Sequence, residues 1–573
     1  MDAQFRLHKT SKIALLAGLV GLLALTFSFV LAARPVLAGH GGGGGGGGGC
    51  GMGCGGGASL STFVSNDFSG SGNCAMCHSA LRDSTGQDVS LDSQWRSTMM
   101  ANSGKDPLWQ AKIESEVNRN PALKAVIEGK CSRCHTPMAR VQAVADGRPV
   151  EVLGSGFLSP SHYLHAAALD SISCSLCHQI QAAGLGTPDT FTGNYHIDTS
   201  TSAPNRLIYA KFSNPMSGPM RMHVGYTPVQ GAHTTSSGLC GSCHTLYTPV
   251  VDQAGNVIGE FPEQMTYPEW EHSAYAEGGQ SCQGCHMPLA SGGVKISNRP
   301  MRLASRSPFE QHYFVGANGF MLNLLKDNLA ELGVTASASH LEATLARLNS
   351  QLQASTASLS VASAPIQDGA LPLTLSVWNL AGHKLPSGIP ARRAWIHLTV
   401  TDATGAVVFE SGKPLTDGRI QGNDADTAPG AYEPHYELIQ GADQVQIYEP
   451  VMTDANGNLT YTLLRAASYV KDNRLLPVGF DKTTASPEVG VYGAAYSDAN
   501  FIGGSDQLTY VVDVQGWTAP FTVSAQLLYQ AVSYSFASDL LLDQTSLVQR
   551  FAGFYAGSDK TPSLLASVQQ VVP

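Results

Sequence analysis

Ten of the chain's twelve cysteines fall into five identical frames, each closed by a histidine. They are CAMCH at 74–78, CSRCH at 131–135, CSLCH at 174–178, CGSCH at 240–244 and CQGCH at 282–286, hereafter the first to fifth frames. C-x-x-C-H is the attachment signal for c-type haem. The two thiols form thioethers with the vinyl groups, and the adjacent histidine is then held under the iron. The pattern predicts five covalently bound haem c groups, attached through Cys74 and Cys77, Cys131 and Cys134, Cys174 and Cys177, Cys240 and Cys243, and Cys282 and Cys285. The proximal iron ligands are then His78, His135, His178, His244 and His286. Three other chemistries fit less well. Zinc sites pair C-x-x-C units, and five units do not pair evenly. Redox-active C-x-x-C pairs belong near a βαβ pattern, which is missing here, and structural disulfides have no reason to repeat one tight spacing.

Each iron also has a far side, where imidazole or thioether is the usual donor. Met100, His165, His223, His233 and His312 are the leading distal candidates; His162, His196, His272 and His383 are weaker ones. His383 lies in AGHKLPSGIP, where Pro386 and Pro390 stiffen the loop, and would have to come to a haem from the C-terminal half. Met100 stands five residues after Trp95, a spacing echoed by Tyr275 after Trp270. A thioether there would raise the potential of its haem.

The elements must satisfy this density. The gaps between frames are 52, 38, 61 and 37 residues, so five haems fall within residues 74–286. Haems are then the core of that region, wrapped in short helices and loops. After Pro288 the pattern changes. Residues 318–353 are apolar at three- and four-residue steps and predict two helices broken near Gly333. From about residue 356 the period becomes two, with SLSVAS, LPLTLSVWNL, AWIHLTVTD, AVVFESG, QVQIYEPVM, LTYTLLRA, LTYVVDV and FTVSAQLLYQ as strands. Turn signals such as TDATGAV and TDANGNL separate them, which predicts an immunoglobulin-like β-sandwich. SFASDLLLDQTSLVQRFAGFYA, 535–556, returns to helical spacing. Asp417, Asp424 and Asp426 form an acidic loop without the ligand spacing of a calcium loop.

The first residues are an address. Arg6, Lys9 and Lys12 precede an uncharged run, 13–33, and Val36-Leu37-Ala38 fits an export cleavage site. The run is longer than a usual signal core of about 7–15 residues and matches the roughly 20 needed to span a bilayer. A cleaved signal and a retained anchor both place the remainder outside the cytoplasm. The polyglycine stretch that follows reads as a tether and carries Cys50 and Cys54. The organisation expected is thus signal peptide or membrane anchor 1–38, tether 39–58, pentahaem domain 59–317, helical connector 318–355, β-sandwich 356–534, and C-terminal helix and tail 535–573. A formal net charge of −10, from 34 basic and 44 acidic residues, argues against nucleic acid as a partner.

At several segments the chain resembles the multihaem c-type cytochromes with tryptophan-anchored helices around their C-x-x-C-H frames. The resemblance rests on QWRSTMMANSGKDPLW (94–109), SCSLCHQI (173–180), LCGSCHTLYT (239–248), FPEQMTYPEWEHSAY (261–275) and SCQGCHMP (281–288). GHKLPSGIPARRAWIHLTVTD (382–402), YEPHYELI (432–439), QVQIYE (444–449) and VKDNRLLPVGF (470–480) resemble a sandwich-bearing pentahaem subset. In many members of the wider group the tryptophan segment supplies a distal histidine five residues on; here those positions hold Met100 and Tyr275. The resemblance implies a periplasmic or cell-surface protein, an electron carrier more than a catalyst, serving redox partner proteins or a terminal acceptor. Two alternatives stay open. One is a reductase with one open haem acting on a small oxyanion or peroxide. The other is a self-assembling conductive filament or surface subunit. Membrane association would run through 13–33.

Overall fold

A computed structural model describes residues 58–573. The leader, the tether up to residue 57, Cys50 and Cys54 lie outside the described residues. Among the described residues no helix is long and apolar enough to cross a membrane.

Short helices carry the frames. Ser71–His78 and Lys124–His135 end on their frames, while Cys174–Cys177, Ser237–Gly241 and Cys282–His286 begin on or just before theirs. Two small sheets join them: β1 (Arg206–Ala210) runs parallel to β2 (Tyr226–Gln230), and β3 (Leu246–Val251) antiparallel to β4 (Val257–Gln264). The helix Pro107–Arg119 starts cleanly because Asp106 accepts from the backbone N–H groups of Leu108 and Trp109 and Pro107 needs no partner. The helices Gly319–Asp327 and Ala338–Ser355 fill the stretch of three- and four-residue periodicity, with Gly333 between them.

The C-terminal half carries two sheets. One has the order β5 (Ala357–Ser363), β6 (Ala370–Asn379), β13 (Ser505–Asp513), β9 (Leu438–Ile439). The other has the order β10 (Ile447–Tyr448), β7 (Arg393–Thr401), β14 (Phe521–Gln530), β15 (Ser563–Val572), with β8 (Val407–Ser411) also on β7. A separate antiparallel pair joins β11 (Pro450–Thr453) to β12 (Ser468–Asp472). Alternate residues of both sheets, among them Leu373, Val377, Tyr510, Leu398 and Ala525, enter one apolar core, as period two requires. That core also takes in Leu108, Met265 and Val315 from the frame-bearing region. The two halves of the chain therefore share apolar packing.

Two expectations change. LTYTLLRA is not a strand: Leu463–Arg465 is a short 3-10 turn. Glu116 accepts from the backbone N–H groups of Leu463 and Leu464, at 2.7 and 3.4 Å, and so takes the donors a ladder would need. The chain after residue 557 is not a tail but β15, paired along β14 from Phe521↔Val572 to Tyr529↔Ser563. Without it β14 would present an unpaired edge. Two of the three carboxylates of the acidic loop, Asp417 and Asp426, are in ion pairs. Arg393 grips Asp426 with two nitrogens at 2.8 and 2.9 Å, both side chains fully buried, and Arg419 pairs with Asp417 at 2.7 Å.

Candidate haem-binding site

Each motif histidine is held the same way. Nδ1 faces an acceptor or carbonyl: Ile296 O at 2.7 Å for His78, Ser103 O at 3.2 Å for His135, Tyr209 O at 2.6 Å for His178, and Val315 O at 2.7 Å for His286. For His244 the acceptor is Gln264 Oε1 at 3.1 Å. Nδ1 therefore carries the proton, and Nε2 keeps its lone pair for a metal. Burial lowers the pKa of all five, to about 4 for His135 and His286. They are neutral imidazoles at pH 7, the form that ligates. The carbonyl acceptors carry no sequence signal, since any residue type provides one.

Four frames open on one cavity. Cys74, Cys77, His78, Cys174, Cys177, His178, Cys240, Cys243, His244, Cys282, Cys285 and His286 line a continuous space of about 1820 Å³. A single drug-sized ligand needs roughly 300–1,000 Å³. The second frame is not on that wall: Cys131 and Cys134 are half-buried, and His135 lies flat on Trp109 with ring centroids 4.6 Å apart and planes 2° from parallel.

Thiols of different frames lie close together: Cys74 of the first frame beside Cys174 of the third, Cys134 of the second beside Cys243 of the fourth, and Cys240 of the fourth beside Cys282 of the fifth. Backbone ties fix each contact. Asp170, four residues before the third frame, accepts from Ser71 N at 2.9 Å and Ser71 Oγ at 2.6 Å. Ser237 Oγ, before the fourth frame, accepts from Cys282 N at 3.1 Å. Between the second and fourth frames, Gly193 donates to Ser242 O at 2.7 Å. At its φ of +68° a Cβ would stand 2.6 Å from the Arg133 Cβ and 3.3 Å from the Cys134 sulfur, so only glycine fits.

The distal candidates divide. Met100, His223, His312 and His383 line the cavity. His178 and His312 face each other with ring centroids 6.4 Å apart and planes 22° from parallel. Nδ1 of His312 is turned to Glu310 O at 3.3 Å, and burial lowers its pKa to about 3. His165, with Nδ1 on Phe157 O, and the adjacent His162 lie off the cavity wall. His233 has its Nε2 on Ile180 O at 2.8 Å. His196 and His272 are exposed, the latter with Nδ1 on Pro268 O.

The tryptophan echo has a structural basis. Trp95 Nε1 donates to Ile172 O and Trp270 Nε1 to Gln280 O, each at 2.9 Å. Both carbonyls stand two residues before the first cysteine of a frame, the third and the fifth. Five residues on, Met100 and Tyr275 both border the cavity, and the Tyr275 hydroxyl donates to Leu380 O at 2.7 Å.

A second cluster lies among the C-terminal strands. His435, Asp498 and Asp506 each offer a ligand atom within 4.8 Å of the others, and all are buried. Its hydrogen bonds exclude a metal on His435 Nε2. Nδ1 of His435 accepts from the amide nitrogens of Gln446 and Asn473, at 2.9 and 3.1 Å. Both amides are fixed, because their oxygens accept from Tyr436 N and Glu449 N. Nε2 must therefore carry the proton, which it donates to Asp498 at 3.0 Å.

No family model and no curated protein matches the sequence. Among solved structures the chain is similar to a penta-heme cytochrome c552 from Thermochromatium tepidum, with 16% identity, a TM-score of 0.49, and coverage of 87% of this chain and 98% of that one.

Proposed function

We propose that the protein is an exported pentahaem c-type cytochrome that carries electrons along closely spaced haems, to or from a redox partner. One observation carries the reading. Four C-x-x-C-H frames share a cavity too large for a single small ligand, and thiol contacts tie the second frame to the fourth. The donor set fits haem c: paired thiols for two thioethers, and a neutral imidazole whose Nδ1 is anchored and whose Nε2 is available.

The ten frame cysteines and the five frame histidines would hold the groups, which supply reversible one-electron iron chemistry when bound. The chain's own residues do the rest. Carbonyls and Gln264 fix the tautomer and rotation of each imidazole. The apolar wall, including Trp95, Ile180, Leu239, Phe309 and Leu322, excludes water and keeps the local dielectric low. His312 is proposed as the distal ligand opposite His178. A metal–imidazole bond is about 2 Å and the ring centre lies about 1.1 Å behind its nitrogen, so two axial imidazoles on one metal have centroids about 6 Å apart. The observed 6.4 Å supports that pairing. Thiol contacts support a route from the first frame through the third to the fourth and on to the fifth. Proximity of Cys177 to Cys243 supplies its middle step, and the second frame branches at the fourth. The partner remains defined by class, a redox protein or terminal acceptor outside the cytoplasm, and export by the leader belongs to the same reading.

The test is a pyridine haemochrome assay with intact mass on protein matured in a haem-attaching periplasm. Five haems per chain are expected; zinc in their place, or fewer than four haems, overturns the reading.

A further inference from the structure

The fifth frame follows a tryptophan segment whose expected histidine position holds Tyr275. The structure gives that tyrosine another task. Its hydroxyl donates to Leu380 O at 2.7 Å, which pins the loop 380–383 of the sheet-bearing half against the segment leading into Cys282. The contact is close: a Cβ on Gly382 would stand 3.4 Å from Trp270 Cδ1 and 3.5 Å from Tyr275 Cγ. Trp270 in turn holds Gln280 O, two residues before the frame. The next residue of the loop is His383.

The loop is clamped on its other side as well. Lys384, fully buried, reaches Asp472 at 2.8 Å and Gly490 O at 2.7 Å. Asp472 also binds Arg474, and Arg474 binds Glu269 at 2.7 Å, one residue before Trp270. Glu269 accepts from Ser387 Oγ at 2.6 Å, and Ala274 N donates to Val478 O at 2.7 Å. Gly479, at φ +87°, lies so close to Ala274 that a Cβ would stand 2.7 Å from its nitrogen. A buried ion network of this kind fixes geometry more than it adds stability.

Within this clamp His383 is presented as the motif histidines are. Its Nδ1 is on Lys384 O at 2.9 Å, and among the described residues its Nε2 has no hydrogen-bond partner. His383 and His286 border the same cavity, as do Trp270 and Tyr275, against which the loop packs. His244 of the fourth frame has its Nδ1 on Gln264 Oε1, and the loop of His383 packs instead on Trp270 and Tyr275, which lead into the fifth frame.

Resting on the haem reading above, we infer that His383 is the distal axial ligand of the iron attached at the fifth frame, delivered from the sheet-bearing half by a loop that Tyr275 positions. Tyr275 is thus a positioning residue that stands in for a ligand at its own site. The integrity of the C-terminal sheets then sets the coordination of one haem.

The experiment uses the full-length holoprotein. Haem count is read first by pyridine haemochrome, then ferric spin state by electron paramagnetic resonance and carbon monoxide binding to the reduced form. H383A is expected to keep five haems, turn one of them high-spin and bind one more carbon monoxide per chain than the wild type. H383M is expected to keep every haem low-spin and raise a single midpoint potential. In a C282A/C285A chain, H383A should create no new carbon monoxide site. Five haems with unchanged spin state and carbon monoxide binding in H383A overturn the inference and leave the haem reading standing. A new site that persists in the C282A/C285A chain assigns His383 to another iron and also overturns it. Should H383A not accumulate, unchanged potentials in H383M overturn it. A wild-type chain without haem overturns the underlying reading instead.

Discussion

On the proposed haem reading, the character of one haem turns on whether Met100 is a ligand. It borders the cavity, and its carbonyl accepts from Ile172 N at 3.3 Å, which ties it to the entrance of the third frame. The proposed pairing of His312 with His178 would leave no position for it on the third iron, so its sulfur would serve a neighbouring one or pack the wall. The two roles separate experimentally. A thioether donates less charge to iron than imidazole and favours the ferrous state. As a ligand, Met100 sets one haem apart in a redox titration. Met100→His then keeps that haem low-spin and lowers its potential by on the order of 100 mV, given the wide span that axial ligands command. Met100→Ala leaves an iron that binds carbon monoxide. If neither variant moves a potential or the spin state, the side chain is packing. The spacing after Trp95 was legible as an echo of Trp270 and Tyr275. What separates the two sites was not, because the Tyr275 hydroxyl finds Leu380, 105 residues away.

Among the elements, the strands of the C-terminal half carry a buried titration that opposes itself. His435 is lowered to about 4 by burial, and Asp506, at the start of β13, is raised to about 7 by burial. The signs differ in consequence. Between about pH 4 and 6.5 the unfolded chain protonates His435 and the folded chain does not, so that group alone makes stability fall as pH falls through this window. Asp506 holds its proton in the folded state and loses it in the unfolded state between about pH 3.8 and 7, so its contribution falls as pH rises. Over the shared window the two nearly cancel. Asp506→Asn removes one side of the balance. The variant is expected to lose a few kcal/mol of stability between pH 6.5 and 4 beyond any loss in the wild type, as about 1.4 kcal/mol per pKa unit implies. Urea melts at the two pH values check it, and parallel pH curves would refute the assignment. At this scale period-two alternation located most of the long strands, because one face of each is buried. It failed at 459–466, where the Glu116 carboxylate of a distant helix captures the backbone donors. It also missed β15, whose Gln569 and Gln570 read as surface tail until β14 supplies a partner.

For the whole molecule, the frames announced the chemistry from spacing alone, but their order in space could not be read along the chain. Structural neighbours are not only sequence neighbours here: the first frame lies beside the third, and the second beside the fourth. Contacts such as Asp170 with Ser71, 99 residues apart, and the close approach at Gly193 create that order, and neither residue type advertises its partner. On the proposed reading the fourth frame is the junction, with Cys177 of the third, Cys134 of the second and Cys282 of the fifth all close to its thiols. Removing single attachment sites tests this topology. In C131A/C134A a terminal branch is lost, and electrons injected at one haem by a flash-triggered donor should equilibrate over the remaining four in one kinetic phase, as in the wild type. In C240A/C243A the junction is lost, and equilibration should split into separate phases, with the first and third frames fast and the second and fifth slow. Equal behaviour of the two variants would mean that the haem order follows some other path through the cavity. A split in C131A/C134A alone would move the junction from the fourth frame to the second.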